Sequence, residues 1–176
     1  MPRFLALDNS REITFLSSFH EPSKTHRKLS KLKKIILIQG ANLTYLGKRE
    51  PEIYGRTTPD ELNATLLDYA RRRSFELEIF YTNLEGEAIN RIYQCADHGF
   101  DGLVMNPAGF SYSGYALKDC IKGAGLPYVE IHISNVAKRN IHCVLSEVSV
   151  GVITGFGMYG YQLALDALLQ HLEEAS

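Results

Sequence analysis

An α/β fold, with a parallel sheet covered on both faces by helices, is what this 176-residue chain predicts. Two observations carry that reading. Short apolar, β-branched runs alternate with helical stretches from residue 35 to the C-terminus. Several of these runs are apolar throughout instead of alternating with polar residues, as in strands buried on both faces. Strands separated by helices imply right-handed crossovers, and such crossovers make neighbouring strands parallel.

Residues 35–40 (IILIQG) open the pattern as a buried strand ending in glycine. Residues 41–57 are polar, hold Gly47, Pro51 and Gly55, and read as a long loop. Thr58-Pro59-Asp60-Glu61 then starts a helix. Thr58 can cap it, Pro59 suits its first position and Glu61 completes a capping box. Leu62, Leu66, Leu67, Tyr69 and Ala70 follow at helical spacing, and three arginines at 71–73 lie where cations suit the helix dipole. Residues 75–81 form strand two. Residues 85–98 carry Ala88, Ile89, Ile92, Tyr93 and Ala96 on one helical face, stopped by Gly99. Residues 102–106 form strand three, 114–122 a shorter helix, 128–133 and 149–154 strands four and five, and 158–174 the closing amphipathic helix. Five strands so arranged suggest the flavodoxin-like doubly wound class, a three-layer α/β/α sandwich with strand order 2-1-3-4-5.

The composition excludes several functions. Hydrophobic residues make up 45% and charged residues 22%, as in one compact globular domain. No apolar run approaches the roughly 20 residues of a membrane-spanning helix. A net charge of −1 and a pI near 6.6 argue against a protein that grips nucleic acid. Cys95, Cys120 and Cys143 are far apart and show neither a disulfide framework nor zinc spacing, so a reducing, cytoplasmic setting is expected. The charge is unevenly spread. Residues 1–34 hold eight basic and three acidic side chains, a net +5, which leaves −6 for the remainder. A basic, poorly ordered extension over 1–34 and a catalytic domain over 35–176 are therefore expected.

Sheets of this class place their sites at the carboxyl ends of the strands. Asn42 and the run from Lys48 to Gly55 follow strand one, Asn106 to Ser113 follow strand three, and strand four carries Glu130 and His132. Glu130 and His132 are two apart and so share a sheet face. A carboxylate beside a histidine can set its tautomer and raise its basicity. No glycine-rich phosphate cradle is present in the loop after strand one.

The stretches IILIQGANLTYLGKREPEIYG, YTNLEGEAINRI, DGLVMNPAGFSYS, VEIHISN and GVITGFGMYGYQLALDAL occur in this order over residues 35–172. Together they resemble type II 3-dehydroquinate dehydratase. The resemblance implies a lyase with no metal and no organic cofactor, which converts 3-dehydroquinate to 3-dehydroshikimate through an enolate, in the shikimate pathway or in quinate catabolism. Tyr54 would be the base, with Arg49 the cation that favours its tyrosinate. Asn106 would help stabilise the enolate, and His132, oriented by Glu130, would protonate the departing hydroxyl. Backbone amides at Ile133 and Ser134 would hold the substrate carboxylate. Asp119 matches an acid lent to a neighbouring subunit, which implies a homo-oligomer of trimers grouped into a dodecamer, with no nucleic-acid or membrane partner.

The chain departs from the family pattern in three places. Ala41 and Thr44 stand where the family shows proline and asparagine. Tyr112 occupies the position of a histidine that binds the ring hydroxyls. The segment after His132-Ile133-Ser134-Asn135 is about three residues shorter, and Arg139 aligns with the first of two family arginines, the second of which binds substrate. These departures leave room for a related lyase or isomerase acting on another cyclic hydroxy-keto acid, or for a non-catalytic paralogue.

Overall fold

The computed structural model describes residues 31–175. The expected basic extension falls mostly on residues 1–30, outside the described ones. The strands are β1 (Lys34–Ala41), β2 (Glu76–Tyr81), β3 (Gly102–Ala108), β4 (Tyr128–His132) and β5 (Gly151–Thr154). The helices are α1 (Pro51–Tyr54), α2 (Pro59–Arg73), α3 (Glu85–Asp97), α4 (Tyr115–Ala124) and α5 (Tyr159–Glu174). All strand pairs are parallel, and the sheet runs β2-β1-β3-β4-β5, the order the sequence predicts.

The alternation of side chains along the strands builds two cores. Ile35, Leu37, Val104, Val129 and Ile131 face one side and pack with Leu62 and Leu66 of α2 and Leu165 and Leu168 of α5. Ile36, Ile38, Leu103 and Met105 face the other and pack with Ile92 of α3 and Leu117 of α4. Burying each such aliphatic side chain stabilises the fold by about 1.5–3 kcal/mol. The Thr58 capping box is present: the Glu61 amide donates to Thr58 Oγ1, and the Thr58 amide donates to the Glu61 carboxylate at 2.9 Å. These bonds satisfy amides that the first turn of α2 leaves open, and they hold Glu61 below the usual carboxylate range.

Some boundaries differ from expectation. The loop after β1 contains the one-turn helix α1, which has Glu50 at its N-cap and no apolar stripe to announce it. Helix α4 runs through Gly123 and ends at Gly125, whose φ of +67° closes the helix. Residues 146–148 form a 3₁₀ turn, so β5 starts at Gly151. Strand β3 continues through Pro107 to Ala108, which pairs with Ala41. This extension brings the ends of β1 and β3 very close. A Cβ at Gly40 would stand 2.2 Å from the Pro107 carbonyl oxygen, so only glycine fits there. Ala108 then turns out of the sheet with φ 48° and ψ −113°, a conformation that disfavours a side chain.

Candidate active site

Register sets the floor of the site. Gln39 of β1 lies opposite Asn106 of β3, and Met105 lies opposite Glu130 of β4. Gln39 and Asn106 point to the α5 side, whereas Glu130 and His132 point to the α4 side. Two buried polar networks therefore reach the carboxyl edge from opposite faces of one sheet.

The first network runs through Tyr161 of α5. Its hydroxyl donates to Gln39 Oε1 at 2.9 Å and accepts from Asn106 Nδ2 at 2.8 Å. Burial raises the Tyr161 phenol well above its usual range, against the opposing pull of Asn106 and Gln39. It is therefore a neutral hydroxyl that fixes the Asn106 carboxamide and leaves one Nδ2 hydrogen free.

The second network centres on Glu130, which is fully buried. Four groups meet its two oxygens. Ser146 Oγ donates to Oε1 at 2.6 Å and His132 Nε2 to the same oxygen at 2.8 Å. Tyr128 Oη donates to Oε2 at 3.1 Å and Cys143 Sγ at 3.2 Å. Burial pushes the carboxyl up, but the bonds from His132, Ser146 and Cys143 outweigh it and hold the group below its usual range. Glu130 is therefore an anion with its acceptor sites filled, and it fixes the His132 ring. Since Nε2 serves Glu130, Nδ1 is the nitrogen left for chemistry.

Above these networks opens a pocket of about 310 Å³. Arg49, Tyr54, Asn106, Tyr112, His132, Ile133, Ser134 and Arg139 all line it. Tyr54, at the end of α1, is partly exposed. Its hydroxyl accepts a hydrogen bond from Arg139 Nη1 at 3.0 Å, and the same nitrogen donates to Ser134 Oγ at 2.8 Å. The bond to Tyr54 raises the Arg139 guanidinium further, so that side chain is a permanent cation. Arg49 lies with its guanidinium carbon 5.6 Å from the centre of the Tyr54 ring, and its Nε donates to Glu50 at 3.0 Å. Arg139, expected among the substrate contacts, is thus the cation on the Tyr54 oxygen, while Arg49 flanks the ring. Glu130 does not line the pocket and is linked to it through His132. Asp119 is exposed on α4 and does not line its own chain's pocket.

Sequence reasoning missed Gln39, Tyr161, Ser146 and the Cys143–Glu130 contact. Gln39 carries a signal, as the one polar side chain in the run IILIQG. Its partner is 122 residues away.

A phenol, a carboxamide and a carboxylate-bound imidazole around one pocket, at the carboxyl edge of a doubly wound sheet, are the groups with which an α/β enzyme can exchange protons with a bound molecule. A family model described as "Dehydroquinase class II" matches residues 33–169, and the chain belongs to that family. It is 44% identical over 144 residues to the 3-dehydroquinate dehydratase of Helicobacter hepaticus, covering 80% of this chain and 91% of the relative. It is 40% identical over 148 residues to that of Polynucleobacter asymbioticus, covering 82% and 99%. Among solved structures, the type II dehydroquinase of Butyrivibrio crossotus superposes with a TM-score of 0.75 at 35% identity, over 78% of this chain and 97% of the other. A 3-dehydroquinate dehydratase-like protein of Bifidobacterium longum gives 0.61 at 33% identity, over 81% and 99%.

Proposed function

We propose that this class II dehydroquinase removes water from 3-dehydroquinate, giving 3-dehydroshikimate, by stepwise acid–base chemistry in the pocket described above. Tyr54 takes the proton next to the ketone, and the C–H electron pair moves into the enolate. Arg139 offsets the charge on the phenolate oxygen while the base is ionised. The free Nδ2 hydrogen of Asn106 stabilises the enolate oxygen. His132 then delivers a proton to the departing hydroxyl, which leaves as water while the enolate collapses to the conjugated enone. Glu130 keeps the imidazole in place and balances its charge. The backbone amides of Ile133 and Ser134 hold the substrate carboxylate, with Arg49 close by and Tyr112 at the ring hydroxyls.

The observation that carries this reading is the convergence of Tyr54, Asn106 and His132 on one pocket that also holds two arginines. A pocket of that size and charge suits one small anionic molecule between the proposed base, enolate donor and acid. Asp119, exposed and away from its own pocket, suits a role in a neighbour's site, so a trimer-based dodecamer is part of the proposal. So are a cytoplasmic setting and a place in aromatic biosynthesis or quinate breakdown. Among the described residues no helix is long and apolar enough to cross a membrane.

The test is incubation with 3-dehydroquinate while following the ultraviolet absorbance of the conjugated product. Growth of that absorbance supports the reading, and its absence with folded protein overturns it. Borohydride added with substrate should leave the protein active and unlabelled. Covalent trapping would show a lysine Schiff base and a different mechanism.

A further inference from the structure

We propose that Glu130, His132 and Cys143 form an inhibitory binding site for a thiophilic divalent cation of the zinc and cadmium class, reached from the pocket. One ligand atom from each residue lies within 4.8 Å of the others, and all three side chains are buried. His132 Nε2 is 2.8 Å from Glu130 Oε1, and Cys143 Sγ is 3.2 Å from Glu130 Oε2. Ligand atoms around a tetrahedral zinc stand roughly 3.3–3.6 Å apart. Both gaps to the carboxylate are shorter than that spacing and each partner meets a different oxygen, so an ion entering here replaces the two hydrogen bonds and draws the imidazole and the thiol around one carboxylate oxygen.

Charge and softness select the ion. One thiolate and one carboxylate cancel a divalent charge, and a neutral imidazole adds none, so the loaded site is neutral where it is buried. Sulfur and imidazole ligands suit zinc or cadmium and not magnesium or calcium, which want oxygen. Binding is a ligand exchange without redox change. The Cys143 S–H bond breaks and its proton goes to solvent. The imidazole proton moves from Nε2 to Nδ1, and three lone pairs bind the cation.

A separate observation marks the same place. Ser111 Oγ is buried and has no hydrogen-bond partner. Ser111 lines the same pocket and its hydroxyl stands near the Cys143 thiol. A metal-bound thiolate would give that hydroxyl an acceptor, the kind of outer contact that fixes metal ligands. His132 and Ser111 both line the pocket, which gives the ion a way in past the imidazole. The proposed reaction has no use for the Cys143 sulfur. Inhibition rests on the dehydration reading, because the ion would occupy the proposed acid and its carboxylate, but binding of the ion does not.

The test uses the full chain. Cadmium titration should produce the ultraviolet band of a cadmium–thiolate bond, saturating at one ion per chain and reversed by EDTA. Cys143→Ser should abolish the band, and His132→Asn should weaken binding by at least about tenfold. Zinc should lower turnover reversibly, and Cys143→Ser should cut that sensitivity by about tenfold or more relative to its own metal-free rate. No band in the unmodified protein, or a band that survives Cys143→Ser, overturns the proposal. Failure of turnover with a Cys143-dependent band would sink the dehydration reading alone. Turnover without the band would sink the metal site alone.

Discussion

Replacing Arg139 by alanine removes the cation that touches the oxygen of the proposed base. The guanidinium nitrogen lies 3.0 Å from Tyr54 Oη. At that separation a unit charge pair is worth about 1.4 kcal/mol in water and about 5.5 kcal/mol at an effective dielectric of 20. Arg139 is exposed, which pulls the value towards the lower end, and charge-assisted hydrogen bonds contribute about 1.5–3 kcal/mol. That interaction grows as the tyrosinate forms, so its loss falls on the proton-transfer step. Arg139→Ala should lower kcat about ten- to hundredfold in the enone assay, with a smaller change in KM. Arg139→Lys should recover part of the loss, since an ammonium keeps the charge but not the planar fork. A variant whose kcat stays within about twofold while KM rises would show that Arg139 serves the substrate and not the base, and would refute the reasoning.

Three further outcomes follow from the same geometry. Glu130→Gln puts an amide donor where four donors now converge, and should cost on the order of 3 kcal/mol in urea unfolding at neutral pH. Because the folded Glu130 carboxyl is held low, its contribution is full above the unfolded value near about 4.3 and is lost as pH falls through the folded value. The gap between wild type and variant should therefore close on acidification, and a gap that widens would contradict the assignment. Tyr161→Phe strands Gln39 and Asn106 without the shared hydroxyl, and should cost about 1–3 kcal/mol and lower kcat; unchanged kcat would remove Tyr161 from the account of the site. Ala108→Gly should relieve about 1–3 kcal/mol of backbone strain against about 0.5–1 kcal/mol of added chain entropy, and an unfolding midpoint that fails to rise would show that Ala108 is not strained.

The fold is legible in the sequence because the buried strands are apolar on both faces and their helices carry clear stripes and caps. Ile35 to Ile38 and the Thr58–Glu61 box are local signals, readable without any partner. Helix α1 is not, since four residues in a polar loop have neither stripe nor side-chain cap. The loops that hold the site were legible for a similar reason: parallel α/β sheets collect their strand ends on one edge. What escaped is whatever depends on distant pairing. Tyr161 reaches Asn106 across 55 residues of sequence, and Arg139 reaches Tyr54 across 85. The family resemblance implies Arg49, five residues from Tyr54, as the activating cation, and it does lie against the Tyr54 ring. The fold also brings Arg139 to the phenol oxygen, through the same loop that places it beside Ser134.

The central claim is that Tyr54 is the base of a dehydration carried out in this pocket, and it is tested most directly by Tyr54→Phe. The change removes one oxygen and keeps the ring that both Arg49 and Arg139 approach at 5.6 Å. Wild-type protein should convert 3-dehydroquinate to the conjugated enone. Tyr54→Phe, folded and still binding substrate, should lose about 10²–10⁴-fold in kcat. A Tyr54→Phe enzyme that keeps its kcat within a few-fold of wild type would contradict the account.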